Sequence, residues 1–197
     1  MNRFLRRLKE ELLPSRHAFD CVRGTDTSGI VALKRLRVAS GNKSDGSSYQ
    51  ATPPEVFQQA MSSVPVDGYT FVDLGCGKGR MLLMAAELGF RSIVGVEFSP
   101  HLARIARNNL SSMGVDAGVV TGDAAEFAFP DDPMVVFMYN PFGALVMEKV
   151  MAKLAVHQHP AFVVYVNPKH ESTFPASFIR IAHSQDWAVW RKDVIAP

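Results

Sequence analysis

The sequence predicts an α/β protein with a doubly wound, mostly parallel, seven-stranded sheet and a C-terminal antiparallel hairpin. Near-continuous apolar runs, typical of strands buried on both faces, alternate with helical patterns between residues 70 and 166. A glycine-rich turn joins the first of these runs to the helix that follows it. The last two strand-like runs, 178–183 and 188–194, are separated by a turn too short to hold a helix, so we expect them to pair antiparallel.

Capping and turn residues set the expected bounds of the elements. Thr52 can cap a first core helix that Pro53 or Pro54 opens, and Ser99 with Pro100 starts another. Gly89 ends the helix after the glycine-rich turn. The expected strands are 70–75, 92–97, 117–121, 134–139 and 161–166. The expected crossover helices are 79–88, 99–113 and 144–156.

Length and composition indicate one globular domain. The chain has 197 residues, of which 47% are hydrophobic and 20% are charged. No apolar run approaches the ~20 residues of a membrane-spanning helix. The two cysteines, Cys21 and Cys76, are too few for a disulfide framework, so we expect a reducing, cytoplasmic setting.

Charge is distributed unevenly along the chain. Residues 1–43 carry ten basic and four acidic side chains, whereas residues 44–197 carry eleven and fifteen. A polar, turn-rich stretch at 40–48 follows the basic part, and residues 1–13 form a candidate amphipathic helix. We therefore divide the chain into a basic lead or lid segment, 1–48, and a main domain, 49–197.

The turn after the first expected strand is the most informative feature of the sequence. Asp73 precedes three alternating glycines, Gly75, Gly77 and Gly79, and a helical pattern then begins. Glycines at such a corner let a ligand approach the backbone closely. A nicotinamide site would need the pattern G-x-G-x-x-G. Here the third glycine comes one residue early, and Arg80 occupies the position where that pattern has its last glycine. A turn that binds nothing is the other alternative.

The acidic residue and the glycine spacing resemble the first motif of class I S-adenosylmethionine (SAM)-dependent methyltransferases. The resemblance covers about residues 49–167. It implies the strand order 3-2-1-4-5-7-6, with the seven strands counted along the chain, and SAM as cofactor with S-adenosyl-L-homocysteine as product. It also implies that the glycine loop wraps the methionine part of SAM, with Asp73 near the amino group.

Acidic residues follow the next two strands as well. Glu97 ends the second strand about 20 residues beyond the glycine turn, where such units place the acid that binds ribose hydroxyls. By resemblance, Asp123 accepts a hydrogen bond from the adenine amino group; helix capping by Glu97 and a plain turn at Asp123 are the alternatives. The predicted cofactor-binding residues are Tyr49, Thr52, Asp73, Gly75, Cys76, Gly77, Gly79, Glu97, Phe98, Asp123, Ala124 and Asn140.

The fourth strand ends in Asn140-Pro141-Phe142. This run resembles the (Asp/Asn)-Pro-Pro-(Tyr/Phe) motif of methyltransferases that modify nitrogen, with one proline where the motif has two. In that motif an amide or backbone carbonyl accepts a hydrogen bond from the target nitrogen, and the aromatic ring lies against the developing cation. We therefore predict Asn140, Pro141 and Phe142 as the catalytic residues; a local turn is the alternative.

Tyr49 and Thr52 resemble the Tyr-x-x-Thr-like segment that closes over SAM in non-SET protein-lysine methyltransferases. The sequence therefore predicts transfer of a methyl group to nitrogen, and the leading hypothesis for the acceptor is a protein lysine. Nucleic-acid and small-molecule acceptors, a SAM-binding protein without transfer activity, and a nicotinamide-dependent oxidoreductase stay open. No metal-ligand spacing is apparent, and the sequence predicts no oligomeric state.

Overall fold

A computed structural model describes residues 18–36 and 46–193. Two short strands, β1 (Ile30–Val31) and β2 (Tyr49–Gln50), pair antiparallel as a separate ribbon. The main sheet contains β3 (Thr70–Leu74), β4 (Ser92–Glu97), β5 (Gly118–Thr121), β6 (Met134–Tyr139), β7 (Ala161–Val166), β8 (Ile179–His183) and β9 (Trp187–Lys192). The helices are α1 (Ala18–Arg23), α2 (Pro54–Met61), α3 (Arg80–Leu88), α4 (Pro100–Ser112) and α5 (Ala144–Ala155).

The seven-stranded sheet has the order β5-β4-β3-β6-β7-β9-β8. The first five strands in that order are parallel, and β9 pairs antiparallel with both β7 and β8. The predicted fold class, strand order and C-terminal hairpin are therefore confirmed. Because the chain runs outward in both directions from β3, the carboxyl ends of β3, β4 and β6 meet at the crevice where open α/β sheets bind ligands.

Both faces of the central strands β3, β6 and β7 are buried. Phe71 of β3 packs in one apolar cluster with residues of α2 and α3, whereas Val72 and Leu74 pack in a second cluster with residues of α5. Successive side chains of a strand point to opposite faces, so one strand contributes to both clusters. Among the described residues, no helix has the length and apolarity needed to cross a membrane.

The capping predictions are confirmed at Ser99 and at Gly89, which ends α3 with a φ of +88°, and wrong at Thr52. Ser99 caps α4, since its hydroxyl accepts a hydrogen bond from the Leu102 backbone N–H, and Pro100 follows it. Helix α2 begins at Pro54 with Pro53 as its cap residue, so Thr52 is not the cap. The candidate helix at 1–13 lies outside the described residues, as does most of the 40–48 stretch.

Residues 20–28 pack against the glycine-rich corner through a buried polar network. The Asp20 carboxylate accepts hydrogen bonds from the hydroxyls of Thr25, Thr27 and Ser28 at 2.7, 2.6 and 2.5 Å. The buried Arg80 guanidinium donates to the Thr27 and Ser28 hydroxyls at 2.8 and 3.0 Å. Burial alone would raise the pKa of Asp20, but these hydrogen bonds hold it below its usual value. The boundary at residue 48 stays a prediction.

We expect the Asp20→Ala variant to lose about 3 kcal/mol of unfolding free energy. Removing the carboxylate leaves hydroxyl donors and the Arg80 charge buried without their acceptor, which is the costly way to break a buried ionic network. Urea unfolding of the full chain measures the difference.

Asp26→Ala is the matched control for this substitution. Its carboxylate pairs with Lys78 Nζ at 2.7 Å but is 67% exposed, so solvent screens the pair and the loss should stay below about 1 kcal/mol. Equal losses in the two variants would show that the Asp20 network does not hold this segment in place.

Candidate active site

A cavity of about 930 Å³, open to solvent, lies at the carboxyl ends of β3, β4 and β6. It contains most of the residues that the sequence predicts for the site. Those that line it are Tyr49, Thr52, Asp73, Gly75, Cys76, Glu97, Phe98, Asp123, Ala124, Pro141 and Phe142. Gly77, Gly79 and Asn140 lie beside the cavity and do not line it.

Two glycines of the corner are required by both conformation and space. Gly75 and Gly77 have φ angles of +83° and +54°, which side chains rarely adopt. A Cβ on Gly75 would lie 2.6 Å from Cβ of Pro141, and a Cβ on Gly77 would overlap the ring of Tyr49. The corner therefore fits closely between the end of β6 on one side and Tyr49 on the other.

Tyr49 connects the corner to the N-terminal segment. Its ring packs on Gly77, and its hydroxyl donates a hydrogen bond to the Thr27 carbonyl at 2.6 Å. Burial raises the pKa of Tyr49, so the phenol keeps its proton and acts as a donor at neutral pH. The segment around Thr27 therefore helps to hold the glycine corner in place.

Glu97 is buried at the end of β4, and backbone groups fix its orientation. One carboxylate oxygen accepts from the Gly77 N–H at 2.9 Å, and the other accepts from the Ser99 N–H at 2.8 Å. Burial raises the pKa of Glu97 to about 7, although backbone hydrogen bonds from Ser99, Gly77 and Phe98 oppose the rise. The remaining lone pairs on its two oxygens can accept the two hydroxyls of a ribose.

Asp73 is a buried carboxylate without a hydrogen-bond partner among the described residues, and it lines the cavity. Burial first, and then the nearby negative charge of Glu97, raise its pKa well above the usual value. Leaving such a group unpaired is costly unless a ligand completes its hydrogen bonds. The α-ammonium of SAM is a ligand group whose positive charge is opposite to that of the carboxylate.

Asp123 lies at the third strand end that borders the cavity. Its Oδ1 accepts from the Ala125 N–H at 2.9 Å, which fixes the turn after β5. The cavity therefore presents three carboxyl groups, at Asp73, Glu97 and Asp123, beside apolar side chains such as Val96 and Leu102. That set of groups fits SAM, which carries an ammonium, a ribose diol and an adenine.

The residues at the end of β6 already make hydrogen bonds within the chain. Oδ1 of Asn140 accepts from the Tyr165 hydroxyl at 2.8 Å, and the Asn140 carbonyl accepts from the Ser47 hydroxyl at 2.8 Å. The Pro141 carbonyl accepts from the Ser47 N–H at 3.0 Å. Each carbonyl keeps a second lone pair, so acceptance of a target N–H by this run stays a prediction.

Sequence reasoning missed Arg80 and Tyr139. Arg80 lines the cavity, is buried, and donates to the Thr52 carbonyl at 3.2 Å in addition to the segment around Thr27. In the sequence it stood out only as a departure from the nicotinamide pattern. Tyr139 lines the cavity at the end of β6, but in the sequence it is simply the last apolar residue of a strand.

We expect Gly77→Ala to weaken binding of S-adenosyl-L-homocysteine at least tenfold, because the new methyl group displaces the Tyr49 ring and shifts the N–H that Glu97 binds. Gly68→Ala is the control. Gly68 has a φ of +77° with nothing within 4 Å of a Cβ, so it shares the left-handed strain of about 1–2 kcal/mol without the overlap. Titration calorimetry on both variants separates the two effects, and equal affinities would contradict the close packing.

We expect the affinity for 5′-methylthioadenosine to rise about tenfold between pH 6 and pH 8. This nucleoside has the ribose but no amino acid part, so it reports on Glu97 rather than on Asp73. With a pKa of about 7, Glu97 is mostly protonated at pH 6 and ionised at pH 8, where both oxygens can accept ribose hydroxyls. The Glu97→Gln variant should bind weakly with no such slope; a slope equal to that of the wild type would exclude Glu97 as the ribose acid.

Known proteins share a domain and a fold with this chain. Residues 71–160 match the family model of the methyltransferase domain. Ribosomal protein L11 methyltransferase from Tolumonas auensis is 31% identical over 74 residues, which are 38% of this chain and 23% of that protein. The protein of the same name from Deinococcus radiodurans is 28% identical over 104 residues, which are 49% and 38%. The chain thus spans less than half the length of these curated relatives.

An RNA methyltransferase from Salinibacter ruber, solved in complex with S-adenosyl-L-homocysteine, has the same fold. Its TM-score is 0.57 at 23% identity, over 73% of this chain and 92% of that one. The matched domain, the shared fold and a cavity whose carboxyl groups fit the cofactor agree with one another. Residues 71–160 thus match a methyltransferase domain, and the cavity that they border is suited to S-adenosyl-L-methionine as the cofactor.

Proposed function

We propose that this protein transfers the methyl group of SAM to a nitrogen atom, the side-chain amine of a lysine in a protein. The observation that carries the proposal is the end of β6, where Tyr139, Pro141 and Phe142 line the cofactor cavity and Asn140 lies at its edge. Aromatic rings and a neutral amide favour an amine that becomes cationic during transfer. The curated relatives support a protein acceptor, since their name says that they methylate a ribosomal protein.

Bound SAM supplies a methyl group that its sulfonium already activates. The protein has to hold the cofactor and the amine in line and to favour the uncharged amine. Apolar side chains of the cavity, among them Leu36 and Val146, disfavour the ammonium form of a lysine that enters. Burial and the negative charge of Asp186 raise the pKa of Tyr139, so this residue remains a neutral phenol beside the acceptor.

We further propose that the segment before residue 49 contributes to the acceptor side of the site. Ser47 and Ser48 line the cavity, and Gly46 pairs with Phe142 in an isolated antiparallel bridge. This contact brings the lead segment to the same strand end that we assign to the acceptor. The excess of basic residues in 1–43 favours acceptors with acidic neighbours.

The acceptor class can be tested by labelling a cell lysate with tritiated SAM and the purified protein. We expect label that is sensitive to protease and resistant to nuclease, and that is released as Nε-methyl-lysine on hydrolysis. Label that nuclease removes would replace the protein acceptor with a nucleic acid. Titration that shows NAD binding and no SAM binding would reject the methyltransferase assignment altogether.

We expect Asn140→Gly to lower kcat at least tenfold while the affinity for S-adenosyl-L-homocysteine stays unchanged, since Asn140 lies at the edge of the cavity and orients the acceptor. Glycine is chosen because Asn140 has a φ of +37°, which glycine tolerates. Asn108→Gly, on the exposed face of α4, is a control for expression and purification. Wild-type turnover in the Asn140 variant would refute the resemblance to nitrogen-methylating enzymes.

A further inference from the structure

Two neighbouring strands of the sheet end in the same way. β6 is followed by Asn140-Pro141 and β7 by Asn167-Pro168, and the two strands pair in parallel with Tyr139 beside Val166. Asn140 and Asn167 therefore lie side by side at the carboxyl edge of the sheet. They are the only non-glycine residues with positive φ, +37° and +51°, within the described ranges 18–36 and 46–193.

A polar concavity, open to solvent, lies at this edge. Its lining residues are Ser47, Ser48, Gln50, Tyr139, Asn140, Asn167 and Lys169. Four of them, Ser47, Ser48, Gln50 and Tyr139, also line the cofactor cavity, so the two spaces adjoin. A group bound in the concavity would therefore lie next to the acceptor atom.

The hydrogen bonds at this edge fix the amide of Asn140, a residue that lines the concavity. The Tyr165 hydroxyl accepts from the Lys169 N–H at 3.3 Å and donates to Oδ1 of Asn140 at 2.8 Å. Because that bond orients the amide, Nδ2 of Asn140 remains as its donor, without a partner among the described residues. Tyr165 is fully buried, so the orientation is fixed from inside the sheet.

The lining is rich in donors and carries one positive charge. It offers the Asn140, Asn167 and Gln50 amides, the Ser48 hydroxyl and the Lys169 ammonium, since the Ser47 hydroxyl already donates to the Asn140 carbonyl. The described lining includes no carboxylate. Lys169 is exposed and has no ion-pair partner among the described residues. Several amide donors around one ammonium group suit a ligand that presents a single carboxylate.

We propose that this polar concavity binds a carboxylate of the acceptor, so that the preferred substrate is a lysine with an acidic neighbour. The proposal rests on the proposed function and names the substrate class of the same site. A polyphosphate backbone is disfavoured, because the concavity offers one cation and residues 44–197 carry four more acidic than basic side chains. Asn167 and Lys169 are then specificity-determining residues.

The first test measures peptide binding in the presence of S-adenosyl-L-homocysteine. Labelled peptides carry one lysine flanked by glutamates, by glutamines or by arginines, and fluorescence anisotropy gives each Kd. We expect the glutamate peptide to bind about tenfold more tightly than the glutamine peptide, no preference in Lys169→Gln, and preference for the arginine peptide in Lys169→Glu. Lys149→Gln, an exposed lysine on α5, is the matched control and should keep the wild-type preference.

The second test requires neither peptide binding nor methyl transfer. N-acetylglutamate should shift the side-chain amide NMR signals of Asn140 and Asn167 in the wild type and not in Lys169→Gln, whereas N-acetylglutamine should shift neither. Shifts with inorganic phosphate alone, or no shift with any probe, would overturn the carboxylate site, as would an unchanged peptide preference in Lys169→Gln. If the shifts occur but the lysate label is not in lysine, the proposed function fails and the carboxylate site stands.

Discussion

The site depends on the Glu97 carboxylate, which ties the glycine corner to the start of α4. Its oxygens accept from the Gly77 and Ser99 N–H groups, so one side chain fixes the backbone of two loops that border the cavity. Burial raises the pKa of Glu97 to about 7 and that of Asp73 well above its usual value. A fold selected for stability alone would not keep two buried acids with raised pKa values on adjacent strands. Binding of a ligand that carries a cation and a diol accounts for both acids.

The glycine corner also carries two positively charged side chains, Lys78 and Arg80. Lys78 and Arg80 both extend to residues 20–28, where Lys78 donates to the Ser28 carbonyl and Arg80 donates to the Ser28 hydroxyl. Since Tyr49 packs on Gly77 and binds the Thr27 carbonyl, a shift of the N-terminal segment would be passed to the glycine backbone. The position of the cofactor loop therefore depends on a segment that comes before the sheet in the chain.

The sequence was sufficient to predict the sheet and the carboxyl groups that line the cavity. Apolar runs and glycine corners are local signals, and the ends of parallel strands converge whatever the side chains between them. Asp73, Glu97 and Asp123 could therefore be selected as candidates because they follow strands, while the strand order that groups them came from the resemblance to SAM-dependent methyltransferases. Arg80 and its partners could not, because Thr27 and Ser28 lie more than 50 residues away in the chain. The orientation of the Asn140 amide depends on Tyr165, 25 residues later, in a strand whose pattern shows only burial.

The residues that we propose to set acceptor specificity lie outside the shared fold. The ends of β3, β4 and β6, the turn after β5 and the glycine corner line the cofactor cavity, which has much the same requirements in any protein that binds SAM. The acceptor side that we propose is made instead by the turns after β6 and β7 and by residues 46–50, which pack across the end of β6 through Ser47. Asn tolerates positive φ better than other non-glycine residues, so Asn140 and Asn167 combine a tight turn with an amide donor at one edge. In our proposal, substitutions there change the acceptor while Glu97 and Gly77 continue to hold the cofactor.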